Sequence, residues 1–308
     1  MFLIVNYTKK FYIISWFDNS TIKHLRLSFS FFLMPIFLFA FSQVSTHNWH
    51  TSVLAFVILH LFIFPASNGY NSYQDKDETS IGGLKYPPKV SKKLFYATLL
   101  MDIIGLLCSL FVSGYFFLFV LIAIVVSRIY SYRKVRLKKY AIIGFITVFI
   151  FQGAFTFMMS FSAITGFSFN TFFSIRTIIC MIVSSLFIGS FYPLSQIYQH
   201  EADKLDGVIS ISYKLGYKGT FFFSSILFII GSIIFFYYFN LKHQNIVSII
   251  FILINLPSIL KLIIWFVQVI KDNKNANFEN AYSMSLVTSS CMNLFFIILI
   301  LNNFYNWF

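Results

Sequence analysis

The sequence predicts an all-α integral membrane protein, and its composition and long apolar segments are the basis of this prediction. Of its 308 residues, 58% are hydrophobic and 11% are charged, and 43 are phenylalanine. A water-soluble domain of this size could not cover so much apolar surface. Apolar segments recur at about the 20 residues that a helix needs to cross the hydrocarbon core. Because lipid offers the backbone no hydrogen-bond partner, these segments are expected to be helices.

Nine segments are predicted to span the membrane. They are 26–43, 51–74, 94–112, 114–132, 139–160, 172–199, 219–240, 245–270 and 283–303. Only Ser113 and Gly114 separate the third from the fourth, but the combined apolar stretch is too long for one crossing. Residues 1–25 are predicted to form an amphipathic segment at the membrane interface. Residues 26–308 are then one membrane domain.

The basic residues predict which side of the membrane each loop occupies. Cations collect before the first span and after the second, fourth, sixth and eighth, whereas the alternate loops hold few. Cytoplasmic loops are enriched in Lys and Arg, so the amino terminus is predicted to be cytoplasmic and the carboxyl terminus to lie on the opposite side. The net charge of +13 follows from this topology. Nucleic acid is therefore not an expected partner.

The acidic residues concentrate at the ends of two predicted spans. The chain has only ten Asp and Glu residues, and six of them lie in NSYQDKDE (71–78) and HEADKLD (200–206). Amides and acids recur with the same spacing in Asn68, Asn71, Asp75 and Glu78 and in Gln196, Gln199, Asp203 and Asp206. Steps of three, four and three residues place each set on one helical face, with Asp77 and Glu201 pointing elsewhere.

Two interpretations of these clusters are open. Solvated helix ends with local salt bridges would carry the same acids. However, the amides reach back into the membrane, where polar side chains are costly and tend to be functional. Two such faces that met in a bundle would offer oxygen ligands to Mg²⁺, which binds through few carboxylates together with substrate phosphates. The favoured interpretation is a shared Mg²⁺ site that a diphosphate completes.

Basic residues beside the acidic clusters are candidates for binding that diphosphate. Lys76 follows Asp75, Lys204 follows Asp203, and the segment RKVRLKK supplies Arg133–Lys139. Arginine binds phosphate oxygens in pairs, whereas lysine acts as a mobile point charge. Most of these cations are expected to face acidic lipid headgroups, and only the remaining few are expected to contact the substrate.

In this order and separation, the motifs resemble those of the UbiA superfamily of intramembrane prenyltransferases. Asn71 and Asp75 match its N-x-x-x-D motif at the end of the second helix, and Asp203 matches the last position of its D-x-x-x-D motif at the end of the sixth. The segment IYSYRKVRLK (129–138) is similar to its Y-S-x-x-x-x-R-L-K segment, and GVISISYKLG (207–216) to its G-x-x-T-L-A-x-x-L-G segment. The resemblance covers about residues 60–216.

Three positions depart from the family pattern. Ser72 replaces a common Asp, Thr79 stands where a further acid is usual, and Gln199 stands where the second motif begins with Asp. These departures leave fewer anionic ligands for a metal. The acids that could compensate are Asp77, Glu78, Glu201 and Asp206.

The resemblance implies a nine-helix bundle around a central cavity that opens sideways to lipid. Mg²⁺ would be held by Asn71, Asp75, Gln199 and Asp203, of which Asn71, Asp75 and Asp203 are the catalytic candidates. The diphosphate of a polyprenyl substrate would be bound by Lys76, Arg136, Lys138 and Lys204. Its ionisation would leave an allylic cation for a lipophilic, aromatic acceptor to capture. Further site candidates are Asn68, Glu78, Gln196, Gln199, Asp206, Tyr130 and Asp102.

Specific roles can be suggested for two of these candidates. Tyr130 lies beside a matched motif, so its aromatic ring is a candidate for stabilising the allylic cation. Asp102 is the lone acid inside the third predicted span. It is a candidate to orient a lysine or to hold the acceptor, and a structural hydrogen bond is the alternative.

Two other functions remain open. A small-molecule transporter would also use paired polar helices, but such sites lie near the middle of the bilayer, whereas these clusters lie at span ends. A catalytically silent isoprenoid-binding homologue would explain Gln199 and Thr79, but both Asp75 and Asp203 are retained. The abundance of Asn, Ile, Lys and Phe is typical of an AT-biased bacterial genome, so the protein is predicted to lie in the bacterial inner membrane. Membrane lipids are then expected partners. The sequence holds no signal for the oligomeric state.

Overall fold

The computed structural model describes residues 18–44, 48–305 and 307, and its backbone is helical apart from loops and a β-bridge between Ile81 and Leu84. The predicted all-α class is confirmed. Of the interfacial segment predicted for residues 1–25, residues 1–17 lie outside the described residues. The remainder holds Asp18 and the short helix Asn19–Leu25, where the Asp18 side chain accepts a hydrogen bond from the Thr21 amide at 2.7 Å.

The α-helices of the described chain are numbered here in order. They are α1 (Asn19–Leu25), α2 (Met34–Ser42), α3 (Trp49–Val57), α4 (Phe64–Asp75), α5 (Lys92–Ser109), α6 (Gly114–Ser131), α7 (Ala141–Val148), α8 (Thr156–Thr165), α9 (Phe169–Phe172), α10 (Ile175–Gln196), α11 (His200–Leu205), α12 (Ile211–Leu241), α13 (Ile246–Lys271) and α14 (Phe278–Tyr305). The π-helical turns Ile58–Ile63 and Phe149–Phe155 join α3 to α4 and α7 to α8. Short 3₁₀ helices are Leu27–Phe32, Leu137–Lys139, Ile197–Gln199 and Asn273–Asn275.

Eight helical segments of the described chain are long and apolar enough to cross a membrane. They are Asn19–Ser42, Trp49–Asp75, Gly114–Ser131, Ala141–Thr165, Ile175–Leu205, Ile211–Leu241, Ile246–Lys271 and Phe278–Tyr305. The remaining predicted span, 94–112, corresponds to α5, which carries Lys92, Lys93 and Asp102 and is less apolar. The multi-pass helical architecture is thus confirmed, while the count of nine crossings and the cytoplasmic amino terminus stay predictions.

The predicted break between the third and fourth spans is confirmed. Helix α5 ends at Ser109 and α6 begins at Gly114. The Ser113 side chain accepts a hydrogen bond from the Phe116 amide at 3.0 Å, which is the usual capping contact of a helix start. The chain therefore turns within four residues, and α5 and α6 pack side by side.

Aromatic rings fill the core of the bundle. Phe39 of α2, Phe235 of α12, Phe251 of α13 and Phe296 of α14 are each at most 1% exposed. Their ring centroids lie 5.0 Å apart for Phe39 and Phe296 and 5.1 Å apart for Phe235 and Phe251. The first pair is stacked and the second is tilted, and aromatic pairs of this kind are favourable beyond the area that they bury. The cluster holds four helices together away from the acidic motifs.

A close backbone contact brings the π-helical turn after α7 onto α10. A Cβ atom added at Gly153 would lie 2.7 Å from the backbone nitrogen of Ser185. The Ser185 hydroxyl also accepts a hydrogen bond from the Ala154 amide at 3.0 Å. Because α10 leads into the second acidic motif, this contact fixes the position of one wall of the site.

We predict that Gly153→Ala destabilises the bundle, because the new methyl group meets backbone that cannot rotate away. Overpacking of this kind costs about 1–3 kcal/mol. Gly114→Ala is the matched control, since an added Cβ there meets nothing within 4 Å. Melting temperatures of the purified variants in one detergent would test this. Equal temperatures for Gly153→Ala and Gly114→Ala would contradict it.

Candidate active site

A cavity of about 270 Å³ lies among the ends of α4, α6 and α10 and extends into the bundle. Its charged end is lined by Arg26, Asp75, Asp77, Arg136, Lys138, Asp203 and Asp206. Its interior is lined by apolar side chains that include Phe29, Phe32, Leu33, Ile63, Phe64, Val148, Phe151, Met159, Ile188 and Phe191. The cavity therefore joins an ionic end to an apolar chamber.

The first acidic motif lies where α4 ends. The last helical residue is Asp75, and Lys76 takes a left-handed conformation (φ 55°) while its amide donates to the Ser72 carbonyl at 2.9 Å. This reversal leaves Lys76 and Glu78 exposed and outside the cavity lining, whereas Asp77 lines the cavity. The prediction that Glu78 shares a helical face with Asp75 and that Asp77 points elsewhere is wrong, because the helix ends three residues early.

The second motif is also not one continuous helix. Helix α10 ends at Gln196, a 3₁₀ turn follows over Ile197–Gln199, and α11 begins at His200. The predicted single face is wrong for this reason. Nevertheless Gln196, Gln199, Asp203 and Asp206 all line the cavity, together with Asn68, Asn71 and Tyr130. Glu201 and Lys204 are exposed and outside the lining.

Helix α11 is held in place by its first residue. The His200 Nε2 atom shares a hydrogen bond of 2.8 Å with the Ser212 hydroxyl, and its ring stacks on Tyr217 with centroids 4.9 Å apart. Ser212 and Tyr217 flank Gly216, whose left-handed φ of 66° kinks α12. The segment after the second motif, which resembles the family pattern, therefore anchors α11 against α12.

Ion pairs join the two motifs through the loop between α6 and α7. Asp75 accepts hydrogen bonds from Arg136 at 2.9 Å and from Lys138. Arg136 also pairs with Asp206, and Arg133 donates to the same Asp206 carboxylate at 3.2 Å. Arg133 further donates to the Asp75 carbonyl oxygen at 2.9 Å. One loop thus connects the end of α4 to the end of α11.

The charges at this end shift the acidity of the carboxyl groups outside the spans. Burial, followed by the negative charge of Asp75, raises the pKa of Asp77 to about 6. Burial alone would raise the pKa of Asp206, but its hydrogen bond with Arg136 and the charges of Arg136 and Arg133 lower it below the ordinary value. Asp206 is therefore compensated by arginines, whereas Asp77 is not.

Polar hydrogen bonds position the amides and tyrosines of the site. The Asn71 amide nitrogen donates to the Ser131 hydroxyl at 3.1 Å, so its remaining polar atom is the oxygen. Tyr130 and Tyr192 share a hydrogen bond of 2.6 Å, and the Gln196 amide donates to the Tyr192 hydroxyl at 2.8 Å. These contacts tie α6 to α4 and to α10.

One charged residue of the cavity was not among the site candidates that the sequence indicated. Arg26 is one of the cations that the sequence places at the start of the first predicted span. It lines the cavity and donates to the Asn68 carbonyl at 3.1 Å and the Gly82 carbonyl at 3.2 Å. No spacing pattern could have shown this, because its partners lie far along the chain. Asp77 also lines the cavity; the helical period predicted that it points away from the shared face, but the sequence already placed it among the acids that could compensate for missing ligands.

Asp102 lies outside this cavity. Its carboxylate accepts a hydrogen bond from Arg128 Nε at 2.9 Å, and the Arg128 guanidinium lies 4.0 Å from the centroid of the Tyr70 ring. Arg128 also donates to the Thr98 hydroxyl at 3.3 Å. Asp102 thus joins α5 to α6 through an arginine, which agrees with the structural alternative rather than with contact to a lysine.

The donor set fits Mg²⁺ only with help from a second ligand. Among the residues that the structure describes, no three His, Cys, Asp or Glu side chains are grouped closely enough to hold a metal by themselves. The cavity instead offers the carboxylates of Asp75, Asp77 and Asp203 and the amides of Asn71 and Gln199. These are the oxygen donors that Mg²⁺ prefers, because Mg²⁺ in proteins is usually held by a few carboxylates together with the phosphates of a substrate.

The fold and the cavity define a helical membrane protein whose site pairs oxygen ligands and cations with an apolar chamber. The chain belongs to the UbiA prenyltransferase family, whose family model matches residues 31–288. The predicted family, the class of fold and the prenyltransferase class are thereby confirmed. A comparison with curated protein sequences gave no match.

Solved structures of UbiA homologues share the fold. One from Archaeoglobus fulgidus, bound to DMAPP and Mg²⁺, is 17% identical with a TM-score of 0.65, covering 92% of this chain and 99% of that one. The apo homologue from Aeropyrum pernix K1 is 16% identical with a TM-score of 0.63, covering 89% and 98%. A structure from work on digeranylgeranylglyceryl phosphate synthase is 20% identical with a TM-score of 0.57, covering 93% and 98%.

We predict that Asp206→Asn loosens the loop between α6 and α7. The variant removes the charge that Arg133 and Arg136 share, so amide hydrogens of residues 132–140 should exchange about three- to tenfold faster with deuterium. Glu201→Gln removes the same charge from an exposed position nearby and should leave this exchange unchanged. Identical exchange in residues 132–140 of the wild-type protein and Asp206→Asn would contradict the assignment.

Proposed function

We propose that the chain catalyses Mg²⁺-dependent transfer of a prenyl group from a polyprenyl diphosphate to a lipophilic, aromatic acceptor. One observation carries the proposal: carboxylates and cations meet at one end of a cavity whose interior is apolar. An amphiphile with a diphosphate head and a hydrocarbon chain matches both ends. Solved UbiA homologues bound to DMAPP with Mg²⁺ and to GPP with Mg²⁺ support this choice.

The proposed metal ligands are Asn71, Asp75, Gln199 and Asp203, with Asn71, Asp75 and Asp203 as the catalytic residues. All four line the cavity: Asn71 and Asp75 come from the last turn of α4, Gln199 from the 3₁₀ turn after α10, and Asp203 from α11. Mg²⁺ bound there would offset the negative charge that develops on the departing diphosphate. The four side chains would hold the positive charge of Mg²⁺ beside the carbon–oxygen bond that breaks. Stabilising the leaving diphosphate in this way is the electrostatic basis of the reaction.

Arg136 and Lys138 are the proposed diphosphate ligands. Both line the cavity and already bind the Asp75 carboxylate, so an anionic substrate meets them at the metal site. Arg26 lines the same cavity, where it donates to the Asn68 and Gly82 carbonyls, and is added to this set. Lys76 and Lys204, which the sequence suggested for this role, are exposed and are left out.

Water must be kept from the allylic cation for the acceptor to capture it. Ile81 and Gly82, in the loop between α4 and α5, line the cavity. The Gln199 amide donates to the Ser80 carbonyl at 3.3 Å and ties this loop to the second motif. The loop is thus placed to cover the charged end, while the prenyl chain lies among the apolar side chains of the interior.

The two alternative functions are less well supported. A transporter would place its polar site near the bilayer midplane, whereas these acids lie at the ends of α4 and α11. A silent homologue would tolerate the loss of the motif acids, yet Asp75 and Asp203 both line the cavity. We further propose that this charged end faces the cytoplasm, because it carries the cation-rich loops, and that the membrane is the bacterial inner membrane that the composition indicates.

We predict that prenyl transfer requires both the metal and the two motif aspartates. Purified protein in nanodiscs would receive radiolabelled polyprenyl diphosphates of several lengths, a lipid extract as acceptor, and either Mg²⁺ or EDTA. Asp75→Ala and Asp203→Ala should each lower the rate at least about 100-fold, because a charge-stabilising ligand is lost. Glu201→Ala is the exposed acidic control. Turnover that persists in EDTA, or in both motif variants, would refute the proposal.

We also predict that Lys138→Ala weakens binding of inorganic diphosphate about 10- to 100-fold, because a charge-assisted hydrogen bond contributes about 1.5–3 kcal/mol. Lys134→Ala changes an exposed lysine of the same loop and is the matched control. Isothermal titration with Mg²⁺ present would measure both affinities. Equal affinities for the two variants would exclude Lys138 from the diphosphate site.

A further inference from the structure

We propose that Gln196 binds a hydroxyl group of the acceptor, so that this residue selects acceptors able to donate a hydrogen bond. The inference rests on the proposed function and adds to it the chemical class of the acceptor. Gln196 is the last residue of α10 and lines the cavity. Along the chain, the apolar lining residues Ile188 and Phe191 precede it, and Gln199 and Asp203 follow it. Gln196 therefore lies at the border between the apolar chamber and the charged end.

Hydrogen bonds with two tyrosines fix the direction of the Gln196 amide. Its Nε2 atom donates to the Tyr192 hydroxyl at 2.8 Å, and that hydroxyl shares a hydrogen bond of 2.6 Å with Tyr130 of α6. The Oε1 atom of the same amide is buried and has no hydrogen-bond partner in the part of the chain that the structure describes. A buried amide oxygen without a donor is unfavourable, so the atom indicates a missing partner.

The other ligands proposed for the cavity do not supply this partner. A prenyl chain has no polar hydrogen, and the oxygens of a diphosphate are hydrogen-bond acceptors. Mg²⁺ could bind an amide oxygen, but the carboxylates at the charged end are anionic oxygen ligands and attract it more strongly. The acceptor is the remaining reactant. The donor that Gln196 lacks is therefore assigned to the acceptor.

The chemistry of the site favours a neutral hydroxyl as that donor. An ammonium group also donates, but a charge is costly on the apolar side of the cavity. A carboxylate only accepts, and its charge would repel the Gln196 oxygen. A hydroxyl is neutral and donates, and on an aromatic ring it also releases electrons to the carbons that would capture the allylic cation.

A second unpaired atom on the α4 wall has the opposite character. Asn68 lines the same cavity, and its Nδ2 atom is buried without an acceptor in the described chain. Because a hydroxyl both donates and accepts, a hydroxyl-bearing ligand offers what each of these two atoms lacks. The terminal torsion of an amide side chain is soft, so a small rotation brings either atom to the cavity wall.

Binding of two matched aromatic probes tests this assignment without turnover. 4-Ethylphenol carries a hydroxyl, whereas 4-ethylanisole carries a methoxy group that cannot donate. Saturation-transfer nuclear magnetic resonance would measure both affinities for the full-length protein in detergent, with Mg²⁺ and inorganic diphosphate present. The wild-type protein should prefer the phenol about 3- to 10-fold, as expected for one neutral hydrogen bond. Partition into detergent is common to all variants, so differences between variants report the site.

Four variants separate a binding role from a structural one. Gln196→Met and Gln196→Leu remove the oxygen and should abolish the preference for the phenol. Gln196→Glu retains an oxygen acceptor and should keep the preference. Gln268→Leu removes an exposed amide of α13 that lies outside the cavity lining, and it should also keep the preference. Melting temperatures verify that each variant is folded.

The outcomes distinguish this inference from the proposed function. An unchanged preference in Gln196→Met and Gln196→Leu would show that Gln196 does not bind the hydroxyl. No preference in the wild-type protein would mean that water alone serves the Gln196 oxygen, and the inference would be wrong while diphosphate binding stands. Isothermal titration with inorganic diphosphate and Mg²⁺ provides the other arm. If the wild-type protein does not bind diphosphate, the proposed function fails and the inference falls with it. If Gln196→Met weakens diphosphate binding as much as phenol binding, Gln196 belongs to the diphosphate site and the inference is overturned.

Discussion

The site depends on the position of Arg136 between Asp75 and Asp206. These acids end two helices that are separated by about half of the chain, and without a cation between them their charges would drive the helix ends apart. Arg136 is 6% exposed, so little water screens its two ion pairs. Its left-handed backbone (φ 50°) turns the chain so that Lys138 reaches the same carboxylate. The loop between α6 and α7 thus brings both acidic motifs to one cavity.

The rest of the bundle provides a rigid frame for this charged end. Phenylalanines from α2, α12, α13 and α14 pack into one buried cluster, and the backbones at Gly153 and Ser185 touch. Lipid tails are as apolar as these side chains, so the frame depends on close packing and on polar contacts such as the hydrogen bond between Ser185 and the Ala154 amide. The cavity extends from the charged motifs into this frame, where its lining is apolar.

Local patterns in the sequence predicted the parts of the structure that local forces determine. Length and hydropathy were enough for eight long apolar helices of the described chain, and Ser113 marked the start of α6 because capping involves only neighbouring residues. Asn71, Asp75, Gln199 and Asp203 line one cavity, but not on the continuous helical faces that the repeated spacing predicted. The direction of Asp77 was not predictable from periodicity, since it follows from a left-handed residue that ends the helix. Arg26 was missed because its partners are carbonyls reached only after the chain has folded.

The ion pairs of Asp75 have a further consequence for how ligands would enter. A metal that arrived alone would have to displace Arg136 and Lys138 from the carboxylate, and a diphosphate that arrived alone would have to draw both cations away and leave the carboxylate bare. Arrival of the two together is a mutual exchange, in which each cation trades a carboxylate for a phosphate and each anion keeps a positive neighbour. Binding of metal and substrate is then cooperative, and by linkage each raises the affinity for the other by the same factor.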